Sequence, residues 1–387
     1  MTPAPLAGFR SVDHLVIGGG PAGAMVAQRL AAAHRNVVLV EREPGPHHKV
    51  CGEFLSAEAV AYLDQVGVEP RELGAAHIHT VRLSADNQLI EASLPFPALS
   101  LSRRVLDQAL LRRAEESGCR VLRGVAVESL ASSGNDRLVT LGNGQSLRAS
   151  ALFLATGKHD LRGIPRGPAR QTDLVGFKLH WRLTPAQIRA LSERMDLYLF
   201  PGGYGGISLV ESGIANLCLV VRRSVLREVG GWPQLLVFIQ RGNRHLRALL
   251  EGATPLALRP LAISPIPYGY LAGDTHSLWC VGDQAAVIPS FTGDGMAIAL
   301  HSGSLAAQMF LAGKSAADYA AALRAQLNRQ MTLATRLSRA AVTRAGRAAV
   351  FAFLPLAPGL LRWIAASTRI PSSSLVAGMG TAARGES

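Results

Sequence analysis

A run of glycines, Gly18-Gly19-Gly20-Pro21-Ala22-Gly23, carries the first chemistry in the chain. Gly18 permits a tight turn, Gly20 lets a backbone approach a pyrophosphate, and Gly23 allows a helix to pack closely on a strand. A helix opening at Pro21 and Ala22 points its free amides at the phosphates. A GxGxxG alone is weak evidence. This one follows a β-type run, Val12–Ile17, and precedes a run of helix formers, Ala24–Ala33. Glu41 stands 23 residues after Gly18 at the end of the next apolar run, where an acid binds ribose hydroxyls, with Arg42 beside it. The set predicts a dinucleotide site, to which Val127 is added from a later strand.

Three further pieces extend that site beyond the length of a nicotinamide dinucleotide's pyrophosphate grip. Ser102-Arg103-Arg104-Val-Leu106-Asp107 opens a second helix, and an Arg there reaches phosphate or ribityl oxygens. Gly282-Asp283 ends a strand with an acid placed to hold a polyol hydroxyl. Gly293-Asp294-Gly295-Met296 starts a helix whose amides face a developing negative charge on a flavin ring.

GGGPAG, the RxxLD at Arg103–Asp107, and Gly282–Asp283 followed by GDG resemble the FAD-dependent oxidoreductases of the para-hydroxybenzoate hydroxylase type. Within them, Lys49-Val-Cys51-Gly52 and Ala297–Gly303 (AIALHSG) are similar to the geranylgeranyl reductase-like branch. The resemblance covers about residues 10–160 and 270–312. It implies non-covalent FAD held by Gly18, Gly20, Pro21, Ala22, Gly23, Glu41, Arg42, Cys51, Gly52, Arg103, Val127, Gly282, Asp283, Gly293, Gly295 and Met296. Cys51 then lies near the flavin, as a contact or a gate; the alternative is a small buried residue chosen for packing. There are departures. Hydroxylases of the group carry His where Ala286 stands here, and the reductases' aromatic YxWxFP run reads Asp196-Leu-Tyr198-Leu-Phe200-Pro201. Tyr198 and Phe200 are the substrate-pocket residues this alignment implies. The halogenases' WxWxIP is absent, which disfavours halogenation.

The implied activity is that of an FAD-dependent oxidoreductase on a hydrophobic small molecule, reducing or desaturating a carbon–carbon bond by hydride transfer. The alternatives are a flavin monooxygenase hydroxylating an aromatic or polyketide-like substrate, and a non-catalytic FAD-binding protein docked on a membrane. No second GxGxxG in strand–turn–helix context exists, so NAD(P)H is expected to dock transiently, or a separate reductase to deliver electrons.

The elements that must position these residues follow from periodicity. Residues 1–160 and 271–312 read as a Rossmann-like FAD-binding domain of the α/β class, split in sequence, with residues 78–100 lent to a second sheet. Residues 161–270 alternate with turn glycines, predicting an inserted antiparallel-sheet substrate domain. Residues 313–387 read as C-terminal helices, Ala316–Ala349 and a Pro-interrupted apolar stretch to Ala366.

Composition supports a globular enzyme: 387 residues, 48% hydrophobic, with dispersed Gly and Pro. Four separated cysteines, Cys51, Cys119, Cys218 and Cys280, argue against a disulfide scaffold or a zinc module and for a reducing compartment. The net charge of +13 is concentrated late, since nine Arg and no acid lie between Tyr319 and Gly385. No nucleic-acid motif accompanies the charge, so no nucleic-acid partner is expected. The tail instead suggests an anionic membrane surface, with helices that cap the substrate domain as the plainer reading. The longest uncharged apolar run, Ala348–Leu361, is 14 residues and contains two prolines, so it does not span a bilayer. The expected location is cytoplasmic, or peripheral on the inner membrane face.

Overall fold

A computed structural model describes residues 11–134, 136–273, 277–354 and 359–376. The chain begins with β1 (Ser11–Ile17), α1 (Pro21–Ala32) and β2 (Val37–Glu41), then β3 (Phe54–Leu55) and α2 (Ala57–Gln65). A long hairpin, β4 (Ala76–Ala85) and β5 (Gln88–Ser100), leads into α3 (Arg103–Glu116). β6 (Arg120–Arg123), β7 (Val127–Ser133), β8 (Asp136–Leu141) and β9 (Ser146–Leu154) complete the first third. These strands form a sheet in the order β6-β2-β1-β9-β8-β7, parallel from β6 to β9 and antiparallel beyond. The parallel strands are buried on both faces, which is why β2 reads as an unbroken apolar run (VVLVE).

The second unit runs through β10 (Leu174–Arg182), α4 (Pro185–Leu191), β11 (Arg194–Phe200), β12 (Gly203–Leu209) and β13 (Ile214–Arg222). Three short helices follow, α5 (Arg223–Val229), α6 (Trp232–Arg241) and α7 (Arg244–Leu250), then β14 (Thr254–Pro255) and β15 (Leu261–Ile263). The sheet takes the order β14-β10-β13-β12-β11-β4-β5-β3, with β15 on β10. It is mixed rather than purely antiparallel, because β11 pairs with β4 in parallel. Periodicity within residues 161–270 cannot show that pairing, since β4 lies far upstream.

The chain then returns through β16 (Tyr270–Leu271), β17 (Trp279–Cys280), which adds to β9, and β18 (Ala286–Val287). The helices α8 (Gly295–Leu311), α9 (Ala316–Ala341), α10 (Arg344–Phe353) and α11 (Gly359–Ser367) end the described chain. The expected long helix to Ala349 is two helices. Thr343 caps the second by accepting from the Gly346 N–H at 3.0 Å. Of the basic tail, Arg384 and the prolines Pro355 and Pro358 lie outside the described residues.

Two close approaches fix the cofactor side of the fold. A Cβ on Gly23 would stand 2.0 Å from the Gly18 carbonyl oxygen, and one on Gly303 would stand 2.5 Å from the Ala22 carbonyl oxygen. Helix α1 is thereby pressed onto the β1 turn and α8 onto α1. Gly23→Val should destabilise the protein by about 1–3 kcal/mol or more, because the obstacle is backbone and cannot rotate away. Gly45→Ala, where a Cβ meets nothing within 4 Å, is the control and should leave the thermal midpoint unchanged. Equal midpoints for the two variants would refute the packing argument.

Candidate active site

A cavity of about 630 Å³ lies between the two sheets. Fifteen of the sixteen expected cofactor residues line it, from Gly18, Glu41 and Val127 to Cys51, Gly293 and Met296. Gly23 does not; it is buried behind the phosphate turn, where its lack of a side chain serves packing. The structure thus separates the glycines that face the cavity from the one that holds the helix.

Two helix N-termini open into this space without side-chain caps. Helix α1 begins after Gly20, with no capping side chain and no acid in its first turn. Helix α8 begins after Asp294, again with no side-chain cap and no acid in the first turn. Their free N–H groups and positive dipole ends are uncompensated, which suits anionic groups at both. A Cβ on Gly295 would meet nothing within 4 Å, so the start of α8 borders open space. Glu41 is fixed by two turns: one carboxylate oxygen accepts from Gly19 N–H of the phosphate turn at 2.6 Å and the other from Glu43 N–H of its own turn at 3.0 Å. Residues that hold an adenosine ribose, a pyrophosphate and a flavin ring fit FAD in this order.

The KxCG and RxxLD segments meet on one carboxylate. Arg103 grips Asp107 through two bonds of 2.7 and 2.8 Å, and Lys49 adds a third at 3.0 Å. Burial alone would raise the Asp107 carboxyl, but Arg103 and then Lys49 hold it below the usual range. Both cations remain beside the phosphate turn, since a Cβ on Gly20 would lie 3.4 Å from the Arg103 guanidinium and 4.0 Å from the Lys49 ammonium. Asp283 pairs with Lys158 at 2.8 Å, and its backbone carbonyl accepts from Arg166 at 3.0 Å. Gly282 N–H donates to Ser302 on α8 at 2.8 Å, which ties the GD segment to that helix.

Tyr198 and Phe200 are not cavity residues. Both are buried with Leu235, Ile239 and Leu246 on the face of the second sheet that α6 and α7 cover. Alternation along β11 sends Leu197, not its neighbours, to the cavity side, and the Tyr198 hydroxyl donates to Asp196. Sequence reasoning also missed several wall residues: His48, Glu53, Phe54, Lys158 and, from the far end of the chain, Thr368 and Arg369. Glu53 was visible as the residue after Cys51-Gly52. Arg369 carried no signal, because its partner Asp294 is 75 residues away.

That last pair sets a titration. Asp294 is fully buried, one oxygen lies 3.2 Å from Arg369, and the other has no partner. Arg369 also donates to the Thr292 carbonyl at 2.8 Å and lies 4.3 Å over the Phe96 ring. Burial pushes the Asp294 carboxyl up to about 7, against the pull of Arg369. The folded chain therefore keeps a proton that the unfolded chain releases near 3.8, and stability falls as pH rises between those values. The span is worth on the order of 4 kcal/mol. Asp294→Asn should flatten the pH dependence of denaturant stability between about pH 4 and pH 7 relative to wild type. Superimposable profiles would show that Asp294 is already ionised.

Comparison with known proteins agrees with this geometry. Residues 11–155 match a family described as FAD binding domain. The menaquinone reductase of Mycobacterium tuberculosis is 26% identical over 353 residues, 85% of this chain and 83% of that protein. The digeranylgeranylglycerophospholipid reductase 2 of Methanosphaera stadtmanae is 25% identical over 311 residues, 75% of each chain. PqsL, a probable FAD-dependent monooxygenase from Pseudomonas aeruginosa, shares the fold with a TM-score of 0.69 and 20% identity over 88% of this chain and 100% of its own. These comparisons make the chain an FAD-dependent oxidoreductase, similar to those of the para-hydroxybenzoate hydroxylase and geranylgeranyl reductase type.

Proposed function

We propose that this oxidoreductase reduces, or in reverse desaturates, a carbon–carbon bond of a hydrophobic small molecule. The observation that carries the reading is the wall of the cavity beyond Cys51 and Gly295. It is built from Leu94, Met195, Leu197, Val220, Ile263 and Ile266. The two tyrosines there have their hydroxyls engaged: Tyr268 donates to Ser290 at 2.8 Å, and Tyr204 is bonded to Ser338 at 3.4 Å. A wall of this kind offers a substrate burial and shape rather than hydrogen bonds.

Bound FAD supplies the hydride. The chain's own residues exclude water around it, orient the substrate against the second sheet, and aim the α8 amides at negative charge. The reductase names of the two curated relatives support the same direction. Reducing equivalents are proposed to come from transiently docked NAD(P)H or a separate reductase. Photoreduced protein mixed anaerobically with a prenylated quinone or a polyprenyl lipid should yield product that keeps two added hydrogen atoms in its isoprenoid chain after any quinol is reoxidised, read by mass spectrometry. If no such product forms, and air instead gives a product with one added oxygen atom, the chain is a hydroxylase and the proposal fails.

The proposed source of that substrate is an anionic membrane surface. Among the described residues no helix is long and apolar enough to cross a membrane. Helices α10 and α11, however, leave Phe353 and Trp363 63% and 55% exposed, and Arg344 and Arg362 on the same two helices are exposed too. Ile364 and Ala365 of α11 line the cavity, so one helix borders the site and also carries the exposed Trp363. Each base near an anionic surface adds about 1 kcal/mol. Vesicles containing anionic lipid should sediment the protein in a salt-sensitive way, neutral vesicles should not, and Phe353→Ser with Trp363→Ser should abolish the difference. Wild-type protein that stays in the supernatant with both vesicle types would rule this out.

A further inference from the structure

From Glu53 in the cavity wall a buried charged cluster runs back onto the second sheet, and no part of the reading above uses it. Glu53 is fully buried, Lys178 is 1% exposed and His180 is 9% exposed. One Glu53 oxygen takes the Lys178 ammonium and the Arg103 backbone N–H (2.7 Å), while the other faces His180 Nε2 at 2.9 Å. Burial by itself would raise this carboxyl, but the His180 bond and the Lys178 charge outweigh it and hold it ionised, below the usual range. A buried ion pair is poor evidence of stabilisation, since well-packed apolar residues do as well or better. Its use here points to position.

We propose that Glu53 is the positioning residue of the ring end of the FAD site, a latch that fixes the Cys51 loop to the second sheet. Glu53 holds a left-handed backbone, φ 60°, a conformation a side chain adopts at a cost and keeps where its surroundings demand it. The demand is visible on every side. Its carbonyl accepts from Leu101 N–H and Ser100 Oγ, both at 3.0 Å, and its N–H contacts the Cys51 sulfur at 3.3 Å. Lys178 and His180 project from the same face of β10, two residues apart, so one carboxylate spans both.

The latch reaches three parts of the cavity wall. Through the Arg103 N–H it holds the first residue of α3, whose guanidinium stands beside the phosphate turn. Through its own loop it holds Cys51, whose carbonyl accepts from Asn216 of β13 at 3.1 Å. Through the next residue it holds Phe54 against the entry to α8, where a Cβ on Gly293 would lie 2.6 Å from the Phe54 ring. Ligand atoms of His48, Glu53 and His180 fall within 4.8 Å of one another, a spacing that also suits a cation. The Lys178 ammonium already neutralises this carboxylate through its other oxygen, and a second positive charge there would be repelled.

Glu53→Gln keeps the shape and removes the charge; Lys178→Met removes the partner on the sheet. Each variant should retain FAD, yet its bound flavin should fluoresce severalfold more strongly than wild type and lose the resolved shoulders of its visible band. The double variant should be no worse than either single one, because both cut the same link. For the case of an insoluble variant, His180→Asn, which removes one bond of three, serves as the milder probe and should shift fluorescence in the same direction. Wild-type flavin spectra in all soluble variants would overturn the proposal. So would additive effects in the double variant, or binding of zinc by the apo-protein that His48→Ala abolishes.

Discussion

The structure depends on a backbone contact with no room for a side chain: the first turn of α1 lying against the β1 turn at Gly18 and Gly23. That contact sets the free end of α1 at the edge of the parallel sheet. Helix α8 is then positioned from α1, because Gly303 meets the Ala22 carbonyl and Gly282 approaches the Ala22 side chain. One small-residue seam therefore places both helix ends that face the cofactor. An added methyl group there would move two walls of the cavity at once, since packed interiors transmit strain rather than absorb it.

Electrostatics follows from that placement. Two uncapped helix ends aimed into one cavity would repel each other's charge if left empty, and the carboxylates at and behind the cavity wall are each held by nearby donors. Glu41 is oriented by the backbone N–H groups of Gly19 and Glu43, Asp107 is held by Arg103 and Lys49, and Glu53 by Lys178 and His180. The cavity thus keeps its positive character near the phosphates and is neutral where the aliphatic residues gather. FAD, anionic in the middle and apolar at the ring, has the same profile.

Sequence reading found what is local and missed what is distant. The phosphate turn, Glu41 and the GD and GDG segments each sit within one strand–turn–helix step, and their chemistry is legible from spacing. The second sheet was legible as alternating strands, but its parallel β11–β4 pair joins segments more than a hundred residues apart and leaves no periodic trace. Tyr198 and Phe200 failed for a different reason. Period-two alternation shows that a strand has two faces, and only the covering helices α6 and α7 decide which face meets the cavity. Arg369 and Asp294 could not be paired in advance at all, because burial created the need and no motif announces it.

The distribution of lysine makes the same point from composition. Only four of 40 basic residues are Lys, and three of them pair with carboxylates at or behind the cavity: Lys49 with Asp107, Lys158 with Asp283, and Lys178 with Glu53. Each contacts a single oxygen, and Asp107 and Glu53 accept from further donors as well. A planar guanidinium would claim both oxygens and bring five N–H groups needing partners, which a wall shared with Arg103, His180 and backbone amides cannot provide. A compact ammonium neutralises one oxygen and asks for little else. In a chain that otherwise relies on arginine, lysine stands at Asp107 and Glu53, where one carboxylate serves several neighbours at once, and both places border the cofactor cavity.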